Sequence, residues 1–388
     1  MKKKIVILGS TGSIGKNTIS IIKKDMDSYQ VVLLTANKNI SLLIKQAKEL
    51  NVKNLIITDK KKYQIAKKKY RKLNLKIFNS FEIINQIFSF KEIYYTMVSV
   101  VGINGLKPTL DIIKYTKNIA IANKESIICG WKLISDRLLK FKTNFLPIDS
   151  EHYSIYLLIH KKDINDIEKI YITASGGPFN NYKRSRLSKV TVSEALQHPN
   201  WKMGKKISID SATLMNKVFE VIEARNIFGI SYKNIEILIH PKSYVHAIVK
   251  FRNGISKLLI HNPDMKIPIQ NSLYPNNHNR FKNKILDFKT LNNLSFEKLD
   301  YKKFPLANIL KKLPKYNSLY ETALVTINDF FVSKFLNKQI NYLELIKFID
   351  QYSKLQEFVK LKKKHVKKAD QIYKLNKYVY LKLNSLSI

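Results

Sequence analysis

Short runs of Ile, Val and Leu recur at regular intervals through the first 149 residues. Residues 4–8, 31–35, 54–58, 95–101 and 119–122 are mostly apolar, the pattern of strands covered on both faces. Residues 17–24, 40–50 and 107–114 lie between such runs and read as helices. The alternation predicts an α/β fold, a Rossmann-like doubly wound parallel sheet over residues 1–149. From 150 to 280 the pattern changes. Residues 169–173, 235–239, 243–251 and 256–260 read as more widely spaced strands, and Asn253-Gly254 signals a hairpin between two of them. This predicts a central α+β domain. Residues 281–305 carry few signals and read as a linker. Beyond them Leu324, Ile327, Phe331 and Phe335 recur at helical spacing, so residues 306–388 are expected to form a C-terminal helical domain.

Composition narrows the function classes. The chain has 388 residues, 45% of them hydrophobic, enough for two or three packed domains. No apolar run approaches the roughly 18 residues of a membrane span. The opening MKKKIVILGS is expected to be the first strand rather than a secretion signal, because its apolar part is only 5–8 and leads directly into a glycine turn. One cysteine, Cys129, excludes internal disulfides and suits the reducing cytoplasm. The net charge of +40 raises the possibility of nucleic-acid binding. However, only 7 of the 69 basic residues are Arg, the residue that bidentate recognition favours, and the lysines are dispersed. Lys, Asn, Ile and Tyr are abundant together, which reads as A/T-rich codon usage. No nucleic-acid or membrane partner is expected, although such a field attracts a small anion.

Three stretches carry candidate chemistry. Gly9-Ser10-Thr11-Gly12-Ser13-Ile14-Gly15 lies between the first strand and a helix, where backbone amides and the helix dipole bind a pyrophosphate. Its spacing is GxxGxxG, a variant of the dinucleotide fingerprint, and such turns also occur without ligands. The second strand ends in Thr35-Ala36-Asn37-Lys38-Asn39. An acid there would meet a ribose 2′-hydroxyl, whereas Lys38 suits a 2′-phosphate, favouring NADP unless it is one more surface lysine.

The second stretch is Leu146-Pro147-Ile148-Asp149-Ser150-Glu151-His152. In an extended run Asp149 and Glu151 would point the same way, and like charges at that distance repel. Solvation, a shared proton or an intervening cation would relieve them. The third is residues 207–225, read as a helix starting near Asp210 or Ser211. Thr213, Asn216, Lys217, Glu220 and Glu223 form its one polar stripe, and pattern alone favours a stripe facing solvent rather than a polar cleft. Elsewhere, Ser175-Gly176-Gly177 offers a hydroxyl and close backbone approach to an oxyanion, or is an ordinary tight turn. The polar stretch 180–206, with His198-Pro199-Asn200-Trp201, reads as a lid loop, with Trp201 capping a site or anchoring the loop. His152, His240 and His246 are as readily structural as functional.

GSTGSIG at 9–15, ANKES at 122–126, PIDSEH at 147–152, SGGPF at 175–179, HPNWKMG at 198–204, DSATLMNK at 210–217 and IHPKSYVHAIV at 239–249 occur in register. Together they resemble the 1-deoxy-D-xylulose 5-phosphate reductoisomerase family, strongly over 4–275 and more weakly through Thr322-Ala323-Leu324 and Asn328-Asp329. The resemblance implies an NADPH-dependent, metal-dependent enzyme of non-mevalonate isoprenoid synthesis, a homodimer acting on a sugar phosphate. It implies Asp149, Glu151 and Glu220 as ligands of Mg²⁺ or Mn²⁺, with Co²⁺ a further option. By the same likeness Lys124 and Ser150 contact the substrate, Ser175, Ser211, Asn216 and Lys217 hold its phosphate, and His198 meets the substrate from the closing loop. Thr11, Gly12, Ser13, Ile14, Asn37, Lys38, Asn39, Asn123, Glu125 and Gly204 line the cofactor site. Asn37 stands where the family often has glycine, which puts the adenosine-end loop in question. Two competing expectations are a basic nucleic-acid-binding protein and a different Rossmann dehydrogenase using Cys129 as nucleophile.

Overall fold

The computed structural model describes residues 1–159, 162–201, 203–275 and 287–386. Residues 281–286 of the predicted linker and residue 202 of the predicted lid lie outside them. The chain divides into two compact units.

The first unit holds residues 1–126, 132–149 and 265–281. Its strands are β1 (Lys3–Leu8), β2 (Tyr29–Ala36), β3 (Asn54–Ile57), β4 (Lys76–Phe78), β5 (Ile93–Val98), β6 (Thr116–Ile121) and β7 (Asn144–Leu146). They form one parallel sheet in the order β4-β3-β2-β1-β5-β6-β7. That order turns back on itself at β1, where a doubly wound sheet opens a crevice at its strand ends. Helix α1 (Ser13–Ile22) follows β1 and α2 (Ile40–Glu49) follows β2. Helix α3 (Lys124–Phe141) follows β6. Ile5, Ile7, Leu34, Leu55 and Met97 of the strands are buried in one core with Ile19 of α1 and Leu43 of α2.

The first unit takes back a late segment that the sequence assigned to the central domain, 150–280. Helix Lys266–Leu273 buries Ile269 and Leu273 in the first core. The Tyr29 hydroxyl donates to the Leu273 carbonyl at 2.8 Å, the Tyr95 hydroxyl meets Ser272 Oγ at 2.7 Å, and the Tyr274 hydroxyl donates to Asp25 at 2.9 Å. No local periodicity carries such a return.

The second unit holds residues 127–131, 150–264 and 282–388. Its strands are β8 (Ile167–Ala174), β9 (Ile235–Ile239), β10 (Val245–Phe251), β11 (Ser256–Ile260) and β12 (Glu297–Lys298), ordered β11-β10-β8-β9-β12. The sheet is mixed: β8 and β9 run parallel, the other pairs antiparallel. Its helices include α4 (Ser150–Leu158), α5 (Lys205–Ala212) and α6 (Met215–Phe228). Helices α7 (Tyr320–Leu336), α8 (Tyr342–Ser353) and α9 (Ala369–Ser385) belong to the same unit, so the predicted 306–388 segment is helical but groups with the mixed sheet. Within α3 the backbone kinks at Gly130 (φ −125°). The carbonyls of Ile127 and Ile128 are instead capped by Asn226 at 3.1 Å and Asn317 at 2.8 Å.

Two predicted elements differ from the structure. The extended reading of 146–152 fails after Leu146, where β7 ends, and α4 begins at Ser150. Glu151 sits in the first turn of that helix, where the dipole favours an acid. The helix expected from Asp210 is two helices. Leu214 adopts the left-handed conformation (φ 64°) and breaks the run, so Thr213 lies outside α6.

Candidate active site

In the first unit the glycine turn is shaped by close packing. A Cβ on Gly15 would meet the Gly9 carbonyl oxygen at 2.5 Å, so only glycine lets α1 approach β1 this closely. Gly12 caps α1 without any side-chain hydrogen bond. The first amides of α1, at Ser13 and Ile14, are the donors that P–O groups use at helix N-termini. Ser10 is buried and fastens the turn: its Oγ donates to Gln46 Oε1 at 2.8 Å, and Gln46 Nε2 returns a bond to the Ser10 carbonyl at 3.0 Å. Asn37, Lys38 and Asn39 are exposed after β2. Asn37 donates to Thr58 Oγ1 at 2.8 Å and lacks a positive φ, so its side chain imposes no backbone strain. Asn39 caps α2 through Leu42 N at 3.1 Å, leaving Lys38 beside it as the cationic side chain.

Asn123 caps α3 by accepting from Ser126 N at 2.7 Å. It also donates to the carbonyls of Val100 at 2.6 Å and Gly102 at 2.9 Å and to Glu125 at 3.1 Å. These bonds hold buried Asn123 and Glu125 at the end of the sheet. Lys124, the first residue of α3, forms an ion pair with Asp149. Gly204 lies in the second unit as the N-cap of α5.

In the second unit α4 and α6 bring the polar residues of two motifs together. The Lys217 ammonium lies 2.6 Å from Glu151 and also against Glu220. Burial works against that charge, but Glu151 and Glu220 outweigh it and hold the Lys217 pKa above the ordinary lysine value. Asn216 donates to Glu220 Oε1, and Ser150 Oγ donates to Glu151 Oε2 at 2.6 Å. His152 meets the Glu220 carbonyl at 2.8 Å through Nε2, tying α4 to α6. The stripe expected to face solvent is buried: Lys217 is 4% exposed, Glu220 1% and Glu223 2%. Asp149 precedes Ser150, so two peptide bonds keep it near Glu151. Asp149, Glu151 and Glu220 each offer a carboxylate oxygen, all within 4.8 Å of one another. Asp149, His152 and Glu223 form an overlapping group of the same size, which sequence reasoning did not anticipate. The all-oxygen set suits a hard dication such as Mg²⁺ or Mn²⁺.

A second cluster has a fixed hydrogen-bond direction. The amides of Asn200 and Trp201 donate to His198 Nδ1 at 3.2 and 3.0 Å. Amides only donate, so Nδ1 carries no proton and the neutral ring is protonated at Nε2. Burial, followed by the Lys217 charge, pushes the His198 pKa down to about 4. Nε2 therefore donates to Ser175 Oγ at 3.0 Å, which also accepts from Gly177 N at 3.0 Å. With two bonds accepted, the Ser175 hydroxyl is left to donate, as an anion requires. Gly177 adopts φ 68°, and a Cβ there would meet the Ser211 carbonyl oxygen at 2.8 Å. This brings the Ser175 turn against Ser211.

Several supports escaped sequence reasoning. Asn328 of α7 donates to Asp210 at 2.8 Å, and the Tyr342 hydroxyl of α8 donates to the Ala212 carbonyl at 2.6 Å. Asn200 donates to the Pro241 carbonyl at 2.6 Å and to Ser243 at 2.8 Å, anchoring this part of the 180–206 stretch. The weak Asn328-Asp329 match was the one signal for these. His240 is structural: it accepts from Tyr244 N at 3.2 Å and uses Nδ1 on the Ser295 carbonyl at 2.8 Å. Cys129 is fully buried in α3, which argues against a nucleophile.

A doubly wound sheet with a glycine turn, together with a carboxylate cluster, defines a dinucleotide-dependent oxidoreductase. Comparison with known proteins narrows this. The family model of 1-deoxy-D-xylulose 5-phosphate reductoisomerase matches residues 5–130, and two models of the C-terminal domains of that family match 145–228 and 260–380. The chain belongs to the 1-deoxy-D-xylulose 5-phosphate reductoisomerase family. It is 52% identical over 387 residues to the enzyme of that name from Pelagibacter ubique, covering 100% of both chains. It is 40% identical to the Clostridium tetani enzyme over 91% of this chain and 92% of the other. A structure of the Zymomonas mobilis enzyme in complex with NADPH matches with TM-score 0.87 and 31% identity over 100% of both chains. A reductoisomerase structure in complex with NADPH, fosmidomycin and magnesium matches with TM-score 0.90 and 30% identity over 99% and 98%.

Proposed function

We propose that this chain rearranges and reduces 1-deoxy-D-xylulose 5-phosphate to 2-C-methyl-D-erythritol 4-phosphate, using NADPH and a divalent metal, in isoprenoid precursor synthesis. The observation that carries the reading is the carboxylate set of Asp149, Glu151 and Glu220, whose oxygens lie within 4.8 Å. These residues hold the metal. When bound, it supplies Lewis acidity to the ketone and neighbouring hydroxyl of the substrate. NADPH supplies the hydride.

The protein's own residues bind and orient. Lys124 fixes Asp149 by its ion pair, and Asn216 fixes Glu220. Ser150 lies beside the carboxylates to meet the substrate backbone. Ser175 donates to the phosphate, its direction set by His198, and Ser211 lies against the same turn. Lys217 supplies positive charge and pairs with Glu151 and Glu220. Phosphate binding far from the reacting carbons supplies energy for orientation and lid closure. Thr11, Gly12, Ser13 and Ile14 receive the pyrophosphate, while Asn37, Lys38 and Asn39 receive the adenosine end. Asn123, Glu125 and Gly204 complete the cofactor site.

The same proposal includes a cytoplasmic homodimer. Edge strand β11 supports an interface, since Leu258 is 44% exposed and Ile255 just before it 52%. Sedimentation is expected to give twice the chain mass. The deciding assay is NADPH oxidation with deoxyxylulose phosphate, with Mn²⁺ or a chelator. Activity with metal and its loss on chelation support the reading; no substrate-dependent oxidation would reject it.

A further inference from the structure

We infer that His261 is a positioning residue, the base of a three-ring stack, His261–His246–Trp201, that seats the lid tryptophan. The His246 and His261 rings lie 3.8 Å apart at 19°, and Trp201 meets His246 edge-on at 6.0 Å and 68°. The stack links three separate pieces of chain: the residue after β11, strand β10 and the lid.

Backbone groups set its planes. His261 N donates to the Tyr244 carbonyl at 3.0 Å, and its Nδ1 lies 2.7 Å from the Asn262 carbonyl. A carbonyl only accepts, so Nδ1 carries the proton. His246 Nε2 meets the His261 carbonyl at 3.3 Å. Burial holds the His261 pKa below the ordinary histidine value, so the ring stacks neutral near pH 7.

The consequence follows through Trp201. Its amide donates to His198 Nδ1, and His198 orients the Ser175 hydroxyl. Holding the indole therefore holds the donor aimed at phosphate. The inference rests on the reading of Ser175 as a phosphate donor.

The chain has two tryptophans, so Trp131→Phe leaves Trp201 as the emitter. In that background His261→Ala is expected to make Trp201 more accessible to acrylamide without any ligand. In turnover with NADPH, Mn²⁺ and deoxyxylulose phosphate it should raise the sugar-phosphate KM about 2- to 10-fold, the weight of one aromatic contact. The kcat and the KM for NADPH should change by less than about 2-fold. His261→Phe keeps a ring and should restore both readouts, whereas His261→Gln keeps a polar group and should not. If His261→Ala fails to fold, the contrast between Phe and Gln carries the test alone. Parent-like quenching and KM in His261→Ala overturn the inference. So does rescue by Gln but not Phe, or an equal loss of kcat and both KM values in all variants. The quenching needs no substrate, so its failure is distinct from a wrong substrate assignment, which the unsubstituted enzyme's inactivity would reveal.

Discussion

Glu220 is held by Lys217 and Asn216 on its carboxylate and by His152 on its carbonyl. It is the most buried of the three candidate metal-binding carboxylates. Glu220→Gln keeps the shape and removes the charge. Turnover is expected to fall at least about 100-fold, while NADPH affinity by fluorescence titration stays within about 2-fold. Parent-like turnover under limiting metal would remove Glu220 from the ligand set.

In a second acid burial outweighs the hydrogen bonds that favour its charge. Glu321 in the first turn of α7 is 0% exposed, with one oxygen accepting from Ser318 N at 3.1 Å and Ser318 Oγ at 2.6 Å. Its other oxygen has no hydrogen-bond partner among the described residues. Desolvation raises its pKa from 4.5 to about 7. The folded state thus keeps a proton that the unfolded chain gives up near 4.5. The stabilisation is full below that pH and is lost as pH rises through about 7. Glu321→Gln has no such slope. Denaturant titrations at pH 4.5 and 8 should show the variant gaining on the parent by roughly 3 kcal/mol across that interval. An unchanged difference would show that Glu321 is ionised in both states.

At the scale of elements, the links between helices decide more than the helices do. Leu214 holds a left-handed turn between α5 and α6, yet its side chain is 2% exposed, so glycine would relieve strain and lose core packing. Lys142 is the cleaner case. It ends α3 in the left-handed conformation (φ 49°) with an exposed side chain. Lys142→Gly is expected to raise stability by about 0.5–1 kcal/mol, read as a higher thermal midpoint. These links also mark where pattern reading stopped. The strands of residues 1–149 were legible because both faces of a parallel sheet are apolar. The 207–225 segment read as one helix because nothing in its side chains signals a positive φ at a leucine. Its polar stripe read as solvent-facing because periodicity separates polar from apolar without saying what the polar side meets. Glu151 and Lys217 provide that answer, 66 residues apart in sequence.

For the whole molecule, the net charge of +40 acts on folding and on encounter alike. Self-repulsion destabilises the compact state, and salt screens it within about 10 Å at 0.1 M. The thermal midpoint should therefore rise as NaCl goes from about 10 to 300 mM, while the KM for a phosphorylated substrate rises as attraction is screened. A midpoint falling with salt would mean that local ion pairs outweigh the net field. The lysines are dispersed and only 7 basic residues are Arg, so heparin binding should not survive moderate salt.

The sequence by itself determined the class of the first fold, the glycine turn, the preference for NADP and, through seven motifs in register, the family. Those features are local: a strand face, a backbone turn and a short motif are each written in consecutive residues. Only the tertiary structure decided that Lys266–Leu273 returns to the first core, that the acids of α6 are buried, and that His261 stacks on His246. Those outcomes depend on which surfaces exclude water against each other across long stretches of chain, and hydrophobic burial carries no directional code in sequence.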